Sequence, residues 1–248
     1  DIELKPGIIC SLREHMQQHG VAFISLMAAP MMSNFWEKLL MPAFVYFFKL
    51  LYPFRLSNST KSKVAAAAGG CILMQSRLLD EIGGFGAIKE ELIDDCSLAQ
   101  RIKSKGHKTW IGLTHSIRSI RPYQQFGQIW NMVTRTAFTQ LHYSIGLLLA
   151  CTAIMALAFG LPVAGLFYPS SAVKYLALAA CVAMALSYYP TLKFYGRSAV
   201  WVLGLPFIGT LYLAMTWNSA LRYYRGERAR WKDRSYDSRA NNMRLTFL

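Results

Sequence analysis

Polar and apolar positions alternate over the first 142 residues and segregate sharply after them, where three runs carry no charged residue: Tyr143 to Val173, Tyr175 to Leu192 and Ser198 to Leu221. Each run approaches or exceeds the roughly 20 apolar residues that a helix needs to cross about 30 Å of hydrocarbon. Tyr143, Tyr168, Tyr188, Tyr189, Trp217, Tyr223 and Tyr224 lie near the run ends, where amphipathic rings favour the headgroup layer. The pattern predicts an anchor of transmembrane helices over 143–221 behind a head of different composition. Gly160-Leu161-Pro162 and Gly204-Leu205-Pro206 interrupt the first and third runs, and either could mark a kink or a re-entrant segment.

The head alternates helix and strand signals, which favours an α/β layer over a bundle. Pro6 to Gly20 reads as a helix with Gly20 as its stop, and Val21 to Met27 as a short buried strand. Asn34 to Phe54 is aromatic and apolar but holds Glu37, Lys38, Lys49, Pro42 and Pro53, a composition that suits a helix lying in the membrane interface better than a span. Leu56 to Lys63 reads as a mobile loop, and the sequon-like Asn58-Ser59-Thr60 falls inside it. The tiny side chains of Val64 to Gly70 end in the pair Gly69-Gly70 and pass into a strand at Cys71, a stretch where a ligand can approach the backbone or where the chain simply turns tightly. Arg77 to Ile82 reads as a short helix. A further helix, stopped by Gly106, carries Leu98 and Ile102 on its apolar face and places Asp94-Asp95 at its N-terminus.

Charge adds a partner. Lys and Arg number 27 against 13 Asp and Glu, for a formal net charge of +14. No RNA or DNA motif accompanies the excess, so anionic lipid rather than nucleic acid is the expected counterpart. The basic tail over 222–248 predicts its own cytoplasmic placement. That conflicts with a cytoplasmic head followed by three simple crossings, so one run is expected not to cross simply. The five cysteines, Cys10, Cys71, Cys96, Cys151 and Cys181, form no C-x-x-C pair, which predicts neither a disulfide framework nor zinc. His15 and His19 share a helix face without a third ligand and read as solvated.

Asp94 and Asp95 admit two compatible roles. Carboxylates at a helix start satisfy free backbone N–H groups, but two adjacent ones repel, so one of them is a candidate to accept a proton from a substrate hydroxyl. A non-catalytic transporter part or assembly scaffold is the alternative, suggested by the Gly/Pro-interrupted runs. Against it, the runs contain no acidic residue.

The succession Gly69-Gly70-Cys71, Gly83-Gly84-Phe85, Asp94-Asp95 with Leu98-Ala99 and Arg101, then Gly106, resembles the acceptor half of the family 2 inverting glycosyltransferases of GT-A fold. Arg118 to Tyr123, Trp130 to Arg135, the apolar runs and Trp231 to Tyr236 further resemble the hopene-associated membrane members of bacterial hopanoid pathways. The resemblance implies an α/β fold: the C-terminal part of a GT-A catalytic domain over 1–122, an interfacial amphipathic helix over 123–142, then the transmembrane region and the cytoplasmic tail. It implies Asp95 as general base supported by Asp94, with Gly69, Gly70 and Cys71 lining the acceptor side. Asp1 is expected to close an Asp-x-Asp motif and hold Mg²⁺ or Mn²⁺ on the donor diphosphate, so that the chain would begin in mid-domain. Gln128, Trp130 and Arg135 supply the residue types of the family's Gln-x-x-Arg-Trp motif in another order, which weakens their assignment to the diphosphate or acceptor and argues against a processive synthase. The implied partners are a nucleotide-sugar donor, a lipid acceptor and the membrane. The implied setting is the bacterial inner membrane, multi-pass, with a cytoplasmic head.

Overall fold

The computed structural model describes residues 1–89, 91–227, 229–231 and 234–236. The chain divides into two compact units, one of residues 1–33 and 47–122, the other of residues 34–46 and 123–248.

The first unit holds β1 (Ile2–Leu4), α1 (Ile8–His19) and β2 (Phe23–Ala29), and the chain leaves it for the first part of α2 (Phe35–Leu51). It then continues through α3 (Phe54–Ser57), β3 (Cys71–Met74), α4 (Arg77–Glu81), a 3₁₀ turn over Phe85–Ile88, α5 (Asp94–Ser104) and β4 (Thr109–Ser119). The four strands form one mixed sheet in the order β1-β4-β2-β3, with β2 and β4 parallel and the two outer pairs antiparallel. Consecutive β2 residues are buried on opposite faces, as expected of a strand covered on both sides. Ile24 and Leu26 pack with Leu12 and Ile117 on the α1 side, and Phe23 packs with Ala67, Leu78, Leu98 and Ile102 on the α5 side. The predicted stops hold: Gly20 (φ 60) and Gly106 (φ 87) adopt the left-handed backbone that side chains disfavour.

Two local expectations change. Segment 56–63 was expected to be mobile, yet α3 forms its start and the Asn58 amide pairs with both backbone groups of Ile111, donating at 3.0 Å and accepting at 2.8 Å. Those bonds hold it against β4. His15 is not solvated: it is half-buried, stacks on His19 at 4.2 Å and leans on Trp110 at 4.8 Å.

Among the described residues the second unit is helical apart from a short antiparallel pair of β5 (Ala229–Trp231) and β6 (Arg234–Tyr236). Its helices are α6 (Phe126–Thr136), α7 (Ile145–Met155), α8 (Leu161–Gly165), α9 (Ser171–Phe194) and α10 (Leu205–Tyr224). A π-helical turn over Ala156–Gly160 joins α7 to α8, and a 3₁₀ stretch over Ala199–Gly204 leads into α10. Both interruptions therefore fall where Gly and Pro predicted them, as changes of helix type ahead of Pro162 and Pro206. Three helices, over 145–165, 171–194 and 199–224, are long and apolar enough to span a bilayer. Their large side chains point outward, Leu203 at 82% exposure and Leu176 at 72%, a surface that hydrocarbon covers and water would not tolerate. This is a membrane protein. The first run does not continue to Val173 as its composition suggested, because the chain turns after Gly165 and α9 begins at Ser171.

The N-terminal part of α2 belongs to this unit and does not lie free in an interface. Glu37, Leu39, Leu40, Ala43 and Val45 are buried, Tyr212 donates its hydroxyl to the Leu40 carbonyl at 2.9 Å, and the Tyr46 hydroxyl meets that of Ser187 at 2.8 Å. The fully buried Glu37 carboxylate accepts the Tyr123 N–H at 2.6 Å, while the Asn34 amide donates to the Tyr123 carbonyl at 2.8 Å.

Candidate active site

Register places four strand ends together at one end of the sheet. Ile2 pairs with Ser119, Ala29 with Arg118 and Leu26 with Cys71, so Asp1, the ends of β2 and β4, and Gly69-Gly70 ahead of β3 share that end. β4 bulges there, since five steps from Leu113 to Arg118 oppose two from Met27 to Ala29. Bulges re-aim side chains at sheet rims and commonly accompany functional sites.

Asp95 reaches this end from the first turn of α5. Its Oδ2 accepts the Gly69 N–H at 2.7 Å and its Oδ1 accepts the Cys96 N–H at 2.7 Å. Asp94 is exposed and accepts the Asp95 N–H at 3.0 Å. Both carboxylates thus satisfy N–H groups of the first turn, and only Asp95 also binds the glycine strip. Each Asp95 oxygen thus accepts at least one backbone N–H. Desolvation pushes the Asp95 carboxyl up to about 6 and the Asp94 charge adds to the rise, while the N–H bonds from Cys96 and Gly69 oppose it. Burial is also the largest cause that pushes the Cys96 thiol up to about 12; that thiol donates to the Ala67 carbonyl at 3.3 Å.

The glycines leave room that side chains would take. A Cβ on Gly69 would stand 3.5 Å from Asp95 Oδ2, and one on Gly70 would stand 3.0 Å from the Ala28 Cβ and 3.6 Å from Ile2 Cδ1. The pair is therefore flanked by Asp95 on one side and by the start of β1 on the other. Cys71 opens β3 half-buried, its thiol pushed up by burial. Asp1 is exposed, and its carbonyl accepts the Ile120 N–H at 3.0 Å.

The expected site residues thus fall in both units. Asp1, Gly69, Gly70, Cys71, Asp94 and Asp95 belong to the first. Gln128, Trp130 and Arg135 lie on α6 in the second, where Trp130 donates its ring N–H to Asn218 at 3.1 Å and Gln128 is exposed. α6 packs on α10, with Arg222 bonded to Asn131 at 3.0 Å and the Phe138 N–H to Ser219 at 3.0 Å. The Trp130 indole is committed to that packing as well as to any headgroup layer. Glu90, Arg228, Lys232, Asp233 and residues 237–248, including Asp237, Arg239 and Arg244, lie outside the described residues. So do the side chains of Arg230, Trp231, Arg234, Ser235 and Tyr236.

Two residues at the site escaped sequence reasoning. Ser25 is fully buried inside β2 and carries no local signal. Arg118, noticed only as part of a longer block, is exposed opposite Ala29 on β4, and strand alternation from Ile117 places it on the α5 side of the sheet.

One unit is thus a sheet with helices on both faces and a carboxylate bonded at a glycine pair, and the other holds helices long and apolar enough to span a bilayer. Residues 1–243 match glycosyl transferase family 21, and the chain belongs to that family. No curated protein matches it. The match is to family 21 and not to the family 2 hopene-associated branch that the motif order resembled. What carries over is a glycosyltransferase, and that favours an enzyme over a scaffold or transporter part.

Proposed function

We propose that this protein transfers a sugar from a nucleotide-sugar to the hydroxyl of a membrane lipid with inversion at the anomeric carbon. The observation that supports it best is the Asp95 carboxylate, half-buried and held against the glycine pair by the Gly69 and Cys96 N–H groups. In this reading the acceptor hydroxyl lies against Gly69 and Gly70, and Asp95 takes its proton as the new O–C bond forms and the bond to the diphosphate oxygen breaks. Asp94 keeps the Asp95 backbone in place through its N–H bond and raises proton affinity by its charge. Arg118 offers a cation to the leaving diphosphate.

Mg²⁺ or Mn²⁺ fits the residues present. Among the described residues no three His, Cys, Asp or Glu side chains cluster, and Asp1 stands exposed at the sheet end that the glycine pair shares. One carboxylate with phosphate oxygens and waters suffices for such a cation, which usually keeps several waters. When bound, the ion would supply charge neutralisation of the diphosphate. A head in the cytoplasm of a bacterial inner membrane, and an acceptor drawn from hopanoid or isoprenoid lipids, complete the reading.

The test is transfer from labelled UDP-, GDP- and dTDP-sugars by purified protein in detergent with Mn²⁺, across a panel of hopanoid, polyprenyl, ceramide and diacylglycerol acceptors. Asp95→Asn is expected to lower the rate about 10²- to 10⁴-fold, the usual worth of a general base. Since the base works only when ionised, the wild-type rate is expected to fall below pH 6, following the raised carboxyl. Transfer that survives Asp95→Asn at full rate removes the assignment.

A further inference from the structure

The strip from Val64 to Gly70 runs beside β2 and α5 without belonging to a strand. Side chains nonetheless take up several of its backbone groups. Lys103 donates to the Val64 carbonyl at 2.5 Å, Cys96 to the Ala67 carbonyl at 3.3 Å, and Asp95 accepts the Gly69 N–H at 2.7 Å. Between the last two sits Ser25, whose hydroxyl donates to the Ala68 carbonyl at 3.0 Å and accepts the Ala68 N–H at 2.8 Å.

That pair of hydrogen bonds is what a neighbouring strand residue would make. In an extended chain the N–H and C=O of one residue point to the same side, and a ladder partner engages both. Ser25 lies on β2 between Ile24 and Leu26, fully buried. A buried hydroxyl without partners is destabilising, and Ser25 fits this core because Ala68 uses both of its functions.

We propose that Ser25 is a positioning residue for sugar transfer: by fixing Ala68 it aims the next N–H, that of Gly69, at Asp95 Oδ2, and so sets the direction and proton affinity of the base. The proposal rests on the reading of Asp95 as base. Without the hydroxyl, Ala68 is free to rotate and the Gly69 N–H drifts from the carboxylate. An N–H bond favours the ionised form, so its weakening raises the carboxyl further. Among the described residues, the titratable groups that act on Asp95 are Asp94 and Cys96 on its own helix, with the Tyr52 hydroxyl behind Cys96, while Asp1 and Arg118 share the sheet end it reaches. The strip and the β2 residues Phe23 to Met27 bring none.

The experiment compares Ser25→Ala, Ser25→Cys and Ser25→Thr with wild type. Two readouts serve: transfer kinetics against pH, and an isotope-edited infrared titration of the aspartate carboxyls with Asp95→Asn as the difference reference. Ser25→Ala is expected to lower kcat about tenfold, the worth of one hydrogen bond, with the donor KM unchanged. Both the acid limb and the infrared midpoint should move to higher pH by roughly half a unit. Ser25→Cys, a poorer donor of similar size, should move them the same way by less, and Ser25→Thr, which keeps the hydroxyl, should restore the wild-type midpoint. An unmoved midpoint and limb in folded Ser25→Ala or Ser25→Cys overturns the proposal. Full transfer by Asp95→Asn overturns the base reading instead, and the infrared midpoint still reports whether Ser25 governs the carboxylate.

Discussion

Gly69 and Gly70 are neighbours in sequence with different work. A methyl on Gly69 would meet Asp95 Oδ2 at 3.5 Å, an ordinary contact, whereas one on Gly70 would press on the Ala28 Cβ at 3.0 Å, closer than packed carbons accept. Gly69→Ala is therefore expected to keep the thermal midpoint of the wild type while its methyl fills the space an acceptor hydroxyl needs and the transfer rate falls. Gly70→Ala is expected to lower the midpoint, since overpacking of this kind costs about 1–3 kcal/mol. Thermal unfolding and initial rates on the two variants check both. A reversed pattern would mean that acceptors do not approach over Gly69. At this scale the sequence exposed the chemistry-bearing types, an acidic pair and a glycine pair, because such residues are rarely adjacent without reason. It did not distinguish Asp94 from Asp95, since that choice depends on a bond to Gly69, 26 residues away.

Among the elements, α7 and α10 run antiparallel and touch along their length. Leu148 and Ala220 share a core cluster, Trp217 donates to the Thr152 hydroxyl at 3.0 Å, and the Phe159 ring lies 3.2 Å from where a Gly209 Cβ would be. Small residues let membrane helices approach closely, and packing rather than a hydrophobic drive holds them there. Gly209→Val is expected to push α10 off the π-helical turn and lower the thermal midpoint in detergent. Gly127→Ala, on α6 with open space around the added methyl, should leave it level or raise it by the helix propensity gained, about 0.5–1 kcal/mol. Equal midpoints for Gly209→Val and wild type would show that this contact contributes nothing. The Gly/Pro positions that break these helices were legible from local rules. The engagement of α6 and α2 with the apolar helices was not, because an amphipathic stripe looks the same whether lipid or protein covers it.

For the whole molecule, the sidedness of the anchor bears on where chemistry takes place. Tyr143, ahead of α7, stacks on Tyr223, at the end of α10, with ring centroids 4.6 Å apart. The chain therefore enters and leaves the apolar helices at the same end, which three simple crossings do not produce. Arg222 and Arg225, at the end of α10, therefore lie at the end from which the first run starts. Single-cysteine variants His142→Cys and Arg225→Cys in an otherwise cysteine-free protein are expected to react with an impermeant maleimide from the same side of sealed vesicles. Labelling from opposite sides would sink this arrangement.

Composition and pattern by themselves determined that the chain has an α/β head and an apolar anchor, that the apolar helices are interrupted near Gly160 and Gly204, and that Asp94-Asp95 opens a helix. Each follows from local propensity or from the cost of moving side chains between water and hydrocarbon, and both are properties of short segments. Only the tertiary structure decided that Asp95 turns to Gly69, that Ser25 stands in for a missing strand at Ala68, 43 residues on, and that Tyr143 meets Tyr223. Those are hydrogen bonds and packing between distant segments, and their partners exist only once the backbone has been brought together.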